Sequence, residues 1–126
     1  MTVIVCERTA WSDYFTGTPT NYNSKTYITR QTSSGTSVHV SNCLFRSITS
    51  TNQGGALYCY NSATYFLVES TSFFSCKTRN DQGAIYFYHS SGESVLHGVC
   101  GYDCCATNGN SYQFGLIQVK DAISSK

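Results

Sequence analysis

Val40-Ser-Asn-Cys-Leu-Phe45-Arg-Ser-Ile48, leading through a polar loop to Gly54-Gly55-Ala56-Leu57-Tyr58-Cys59-Tyr60, decides the fold, because the chain repeats it 28 residues later. The second copy reads Val68-Glu-Ser-Thr-Ser-Phe73-Phe-Ser-Cys76, a polar loop, then Gln82-Gly83-Ala84-Ile85-Tyr86-Phe87-Tyr88. Phe45/Phe73, Ile48/Cys76, Gly55/Gly83, Ala56/Ala84, Tyr58/Tyr86 and Tyr60/Tyr88 match without a gap. Leu96 and Cys104 start a third copy in phase, which runs two or three residues long before Phe114-Gly115-Leu116-Ile117, and a fainter half-copy lies around Tyr27-Ile28. A fixed period of 20–50 residues marks units that cannot bury their apolar face alone and must stack on one another.

Alternation within each copy selects strands over helices. In Gly55–Tyr60, Leu57 and Cys59 share one face while Ala56, Tyr58 and Tyr60 share the other; Gly83–Tyr88 repeats the split. Such period-two runs, rich in β-branched and aromatic residues and bounded by Gly, Ser, Asn and Thr, are strands. Three short strands per 28-residue turn, stacked in parallel in three sheets, predict an all-β parallel β-helix, a solenoid of about four to five turns. At ~4.8 Å per turn the stub is roughly 20 Å tall. Val40, Val68 and Leu96 are expected in one inward column, Phe45 over Phe73 in another, and Ile48, Cys76 and Cys104 in a third. Leu57/Cys59, Ile85/Phe87 and Ile117/Val119 are expected to point inward as well.

Composition fits one domain, with residues 1–34 as an irregular first turn and 35–126 as the repeat-bearing turns. Proline occurs once and charged residues are 12% of the chain, as suits strand interiors that lose a ladder donor at every proline. Lysine and arginine are scattered singly and net charge is +1, so no footprint for nucleic acid is expected. No apolar run approaches the ~20 residues of a membrane span, and Met1–Arg8 is too short and too soon charged for a secretory signal. No Asn-x-Ser/Thr sequon occurs. Taken literally, these features predict a soluble intracellular chain or a piece of a longer one. Val3-Ile4-Val5 and Tyr27-Ile28-Thr29 read as irregular strands of an incomplete first turn. Trp11, Tyr14 and Phe15 read either as a cap over the open end of the solenoid or as packing in a degenerate first turn.

The seven cysteines (6, 43, 59, 76, 100, 104 and 105) fall mainly at inward positions, where a free thiol is a small apolar side chain. An odd count argues against a disulfide framework, and His97-x-x-Cys100-x-x-x-Cys104-Cys105 is only half of the paired pattern zinc uses; no metal or other cofactor is expected. Glu69, Asp81, Glu93 and Asp103 sit at unrelated positions of the repeat, so they do not stack into an acid/base or calcium cluster. His39, His89 and His97 lack a partner at a catalytic spacing and read as solvated residues. No catalytic residues are expected. Surface is what remains: Tyr58 and Tyr60 are followed in register by Tyr86 and Tyr88 and then, on the expected third turn, by Gln118 and Lys120. That column order predicts an outward aromatic platform able to contact a protein or glycan, or stacked rings that simply stabilise the sheet.

At these residues the chain resembles the repeats of polymorphic outer-membrane proteins, which pair Gly-Gly-Ala-(Ile/Leu/Val) with Phe-x-x-Asn. Here Gly54-Gly55-Ala56-Leu57 and Gln82-Gly83-Ala84-Ile85 each follow a Phe-x-x-(Ile/Cys) element by about ten residues. Cysteine near the Asn position, and a tail such as Val99-Cys-Gly-Tyr-Asp-Cys104, make it similar to repetitive surface-type proteins of parasitic protists. The resemblance covers about residues 36–120 and implies a right-handed parallel β-helix at the cell surface or outside the cell, with an adhesion role. A non-catalytic interaction module, alone or as a fragment of a longer repetitive protein, is thus the first expectation; a polysaccharide-acting lyase or glycoside hydrolase is the alternative. Unpaired strand edges at the ends of so short a stack further predict end-to-end self-association.

Overall fold

The computed structural model describes residues 10–80, 83–107 and 114–118. Those residues form an all-β structure: a single 3₁₀ turn at Trp11–Asp13, then β1 (Thr20–Asn23), β2 (Thr26–Tyr27), β3 (Gln31–Thr32), β4 (Ser37–Ser41), β5 (Leu44–Ser50), β6 (Leu57–Tyr60), β7 (Tyr65–Thr78), β8 (Ile85–Tyr88), β9 (Glu93–Tyr102), β10 (Cys105–Ala106) and β11 (Gly115–Gln118). Every described strand pairing is parallel. The repeat sets the register: Val40 faces Val68 and Val68 faces Leu96, Phe45 faces Phe73, Ile48 faces Cys76, and Tyr58 and Tyr60 face Tyr86 and Tyr88.

Two sheets stand where three were expected. A seven-stranded sheet has the order β1-β4-β7-β5-β2, with β9 and β10 also paired to β7; a four-stranded sheet runs β11-β8-β6-β3. The reason is β7, which continues unbroken for 14 residues and pairs with both β4 and β5. The sheet curls rather than breaks because left-handed residues recur at the repeat spacing. Asn42 (φ 53), Ser70 (φ 46) and Gly98 (φ 62) form one bend, and Ser47 (φ 54), Ser75 (φ 53) and Asp103 (φ 53) form a second. Short polar side chains tolerate this conformation, whereas β-branched ones do not. Replacing Ser75 by valine is therefore expected to cost ~1–3 kcal/mol, read by urea denaturation, while Ser75→Gly leaves stability unchanged or raises it.

The interior is a set of stacked rings and aliphatics. Tyr27 lies on Phe45 (4.9 Å between centroids) and Phe45 on Phe73 (4.8 Å, 9° between planes), while Phe66 packs flat on Phe87 at 4.5 Å. The next position above Phe73 is Gly101. It leaves a slot into which Phe114 inserts edge-on, 5.5 Å from Phe73; a Cβ at Gly101 would lie 2.5 Å from that ring. This insertion accompanies a shift in the last copy. Gly115, Leu116, Ile117 and Gln118 face Ile85, Tyr86, Phe87 and Tyr88, so Gln118 continues the Tyr60/Tyr88 column and not the Tyr58/Tyr86 column expected for it. Lys120 and Val119 lie outside the described residues. Leu96 keeps its expected register over Val68 but is 38% exposed, because β9 pairs with β7 alone and no described strand stacks on it. Ala56 and Ala84, expected outward with the tyrosines, are fully buried where the chain enters the four-stranded sheet.

Residues 10–15 neither cap an end nor fill a first turn. Trp11 and Phe15 are buried against Leu67 and Val95, which alternate with the inward Phe66, Val68 and Ser94 and so lie on the outer face of the seven-stranded sheet. Phe15 stacks on Tyr65 at 4.8 Å and Trp11 lies 5.8 Å from the His39 ring. This apolar outer patch is what an end cap would have lacked: three adjacent strands, β4, β7 and β9, offering aliphatic and aromatic side chains together. Trp11 is the only tryptophan, so its emission reports the clamp. Trp11→Ala should lower stability by ~3 kcal/mol, and unfolding of the native chain should shift the emission to the red.

Candidate functional site

Two exterior aromatic clusters and one largely buried His–Glu pair are the features with chemical potential among the described residues. The first is the tyrosine group on β6 and β8. Tyr58 stacks on Tyr86 and Tyr60 on Tyr88, each at 5.2 Å. The Arg30 guanidinium covers the other side of Tyr58 at 4.5 Å, held there by the carbonyls of Gln53 and Gly54 (2.8 and 3.0 Å) and by Thr32 Oγ1 (3.1 Å). Tyr86 is buried, Tyr58 and Tyr88 are half-buried, and only Tyr60 is exposed, at 47%. Burial, then the neighbouring Tyr58, Tyr60 and Tyr88 phenols, push the Tyr86 hydroxyl above its usual range. The rings turn their faces to one another, the stacked arrangement expected alongside the open platform.

The second cluster was missed in the sequence. Arg46, Phe74 and Tyr102 stand in register on the outer face of β5, β7 and β9. Phe74 (47% exposed) and Tyr102 (68%) stack at 5.3 Å with planes 9° apart. With Leu44, Ser72 and Cys100 they line a cavity of about 470 Å³, within the ~300–1,000 Å³ range of small-ligand sites. Arg46 makes no hydrogen bond or ion pair among the described residues, whereas the neighbouring Lys77 Nζ is neutralised by Asp103 Oδ2 at 3.1 Å. These three residues are the 28-spaced companions of Phe45 and Phe73, one position on; following that next column would have found them.

The third feature corrects the reading of His39 as solvated. His39 Nε2 lies 3.3 Å from Glu69 Oε1, both side chains largely buried, with Trp11 against the imidazole. Glu69 Oε2 is buried without a hydrogen-bond partner among the described residues, and Glu69 faces His97 across the strands. The pair escapes a linear search because its members are 30 residues apart, one turn plus a diagonal step. His89 sits in a loop, its Nδ1 accepting from the Ser91 amide at 3.1 Å. Asp81 lies outside the described residues.

The six described cysteines are free thiols: Cys43, Cys59 and Cys76 buried, Cys104 and Cys105 half-buried, Cys100 exposed. Cys104 keeps its place in the Ile48/Cys76 column but is not fully buried as expected. Register sends Cys100 to the outer face and Cys104 inward, which separates the cluster read as half a zinc site. No group of three or more His, Cys, Asp or Glu residues is placed to hold a metal among the described residues. Burial pushes the Cys59 thiol up to about 12, against a backbone hydrogen bond from Ser33. Alkylation of the native chain should therefore label Cys100 and Cys104 and leave Cys59 and Cys76 untouched until denaturant is added; rapid native labelling at Cys76 would contradict the register.

No helix among the described residues is long and apolar enough to cross a membrane. No family model, curated protein or solved structure matches the chain.

Proposed function

We propose that the chain is a non-catalytic interaction module: a right-handed parallel β-helix, closed around the aromatic interior, that displays ligand-binding side chains on its outer faces. The supporting observation is the Arg46–Phe74–Tyr102 column, where two exposed stacked rings and a guanidinium with no hydrogen-bond or ion-pair partner among the described residues border one cavity. Flat rings receive the apolar face of a sugar, and a planar guanidinium receives a carboxylate in bidentate fashion, so the occupant proposed is a glycan bearing a uronic or other acidic sugar. The Tyr58, Tyr60, Tyr86 and Tyr88 group is a secondary contact through its hydroxyls. The likeness to surface-protein repeats supports a location at the cell surface. The edge of β9 that no described strand pairs, with Leu96 open above Val68, supports addition of further turns or of a second copy there.

Calorimetric titration with neutral and uronate-bearing oligosaccharides tests the reading. Binding of the acidic ligand alone, lost in Tyr102→Ala and weakened at least tenfold in Arg46→Ala, is the expected result. Equal binding of neutral and acidic sugars, or binding unchanged in both variants, would refute it. Sedimentation of the isolated chain should show concentration-dependent association that Leu96→Lys reduces.

The buried His39–Glu69 pair favours a second reading, a polysaccharide-acting lyase or glycoside hydrolase, because a carboxylate-held imidazole is a proton-transfer group. Release of reducing ends or unsaturated products, abolished by His39→Ala, would favour this enzyme.

A further inference from the structure

Cys76 and Cys104 occupy the same position in adjacent copies. Cys105 faces Lys77 across the strands, so Cys104 stands directly over Cys76, and the Cys76 amide donates to Cys104 Sγ at 3.4 Å. Parallel neighbours ~4.8 Å apart fall within the Cα separation a disulfide spans. Below Cys76 the column continues with Ile48, so neither thiol has another sulfur in line with it. The two differ in access, Cys76 being buried and Cys104 half-buried.

We infer that Cys76 and Cys104 form a two-thiol redox site that hydrogen peroxide converts into a disulfide bridging adjacent turns. Cys104 is the attacking group. The neighbouring Cys76 side chain, helped by the Cys76 amide, lowers the Cys104 thiol against the effect of burial, and the Cys104 side chain, with burial, raises the Cys76 thiol. Cys104, the more accessible and the more acidic of the two, supplies the thiolate, and Cys76 keeps its proton. The Cys104 thiolate attacks the peroxide O–O bond, forming an S–O bond and expelling hydroxide, which takes a proton to leave as water. The Cys76 sulfur then attacks the sulfenic sulfur. Its proton leaves with the displaced hydroxyl as a second water, and the S–S bond closes. Two electrons pass from the thiol pair to one molecule of hydrogen peroxide. The bridge ties β7 to the segment leading into β10, at the end of the stack where β9 is least covered.

Exposure of the full chain to hydrogen peroxide, followed by thiol blocking and peptide mapping with fragmentation, tests this. Expected is one Cys76–Cys104 disulfide, a loss of two hydrogen masses, a raised melting temperature and reversal by dithiothreitol. In Cys76→Ala the reaction should stop at a Cys104 sulfenic acid trapped by a cyclic 1,3-diketone, and in Cys104→Ala no sulfenic acid should form at Cys76. The rate of Cys104 oxidation in Cys100→Ser should match that of the unmodified chain. Oxidation of Cys100 or Cys105 ahead of Cys104, a Cys104–Cys105 bridge, or two thiols still fully alkylatable after peroxide would each overturn the inference.

Discussion

Replacing Gly83 by alanine is expected to destabilise the chain by ~3 kcal/mol, and replacing Gly55 and Gly83 together to leave it unfolded. A Cβ at Gly83 would stand 2.7 Å from the backbone N, Cα and C of Cys105, and one at Gly55 would meet the carbonyls of Gly83 and of Lys77, the latter at 2.8 Å. These are backbone atoms of the neighbouring turns, which cannot swing aside as a side chain can. The same backbone is committed to the ladder: Gly55 N donates to Gly83 O at 2.8 Å and Ala56 N to Ala84 O at 2.9 Å. Forcing extra volume into so close an approach costs ~1–3 kcal/mol or more, and two such insertions consume most of a marginal stability of ~5–15 kcal/mol. Gly98 is the control. Its φ of 62° and its nearest contact at 3.5 Å place it in the Asn42/Ser70 bend, so Gly98→Asn should change stability by less than ~0.5 kcal/mol. Urea denaturation followed by Trp11 fluorescence separates these outcomes.

Phe73→Ala should cost ~3–5 kcal/mol, the range for removing a buried aromatic. Phe73 is 1% exposed, stacked on Phe45 and met edge-on by Phe114, so its loss opens a cavity that also undoes the docking of the last copy. Tyr102→Ala, one turn on and one residue along but on the outer face, should change stability by less than ~0.5 kcal/mol. Similar losses from both substitutions would mean that Phe73 does not lie inside.

The 28-residue offset carried the strand pairing because a parallel stack translates sequence period directly into register. Where the turns keep equal length, Val40/Val68, Phe45/Phe73, Ile48/Cys76 and the two tyrosine columns could all be read in advance. The first turn was hidden for the opposite reason. Thr20 pairs with Val38 and Thr26 with Leu44, an offset of 18, while Gln31 pairs with Leu57, an offset of 26; shorter connections erase the repeat without breaking the ladder. The last copy is shifted where Phe114 fills the slot left by Gly101, a contact no periodicity encodes. Contacts off the column were also illegible: the Trp11–Phe15 clamp crosses three strands on the outer face, and His39 reaches Glu69 on the diagonal. The tyrosines show a further limit. Their positions were readable, but whether rings lie face to face or open to solvent depends on side-chain packing, here fixed by Arg30.

Proton–proton NOEs between selectively labelled aromatic rings test the in-register stack most directly. Strong cross-peaks linking Phe45 with Phe73, and Tyr58 with Tyr86, are the predicted result, each pair lying within 5.2 Å. Absence of the Phe45–Phe73 cross-peak, with both rings accessible to a soluble paramagnetic probe, would contradict the stacked architecture on which the proposed binding surface depends.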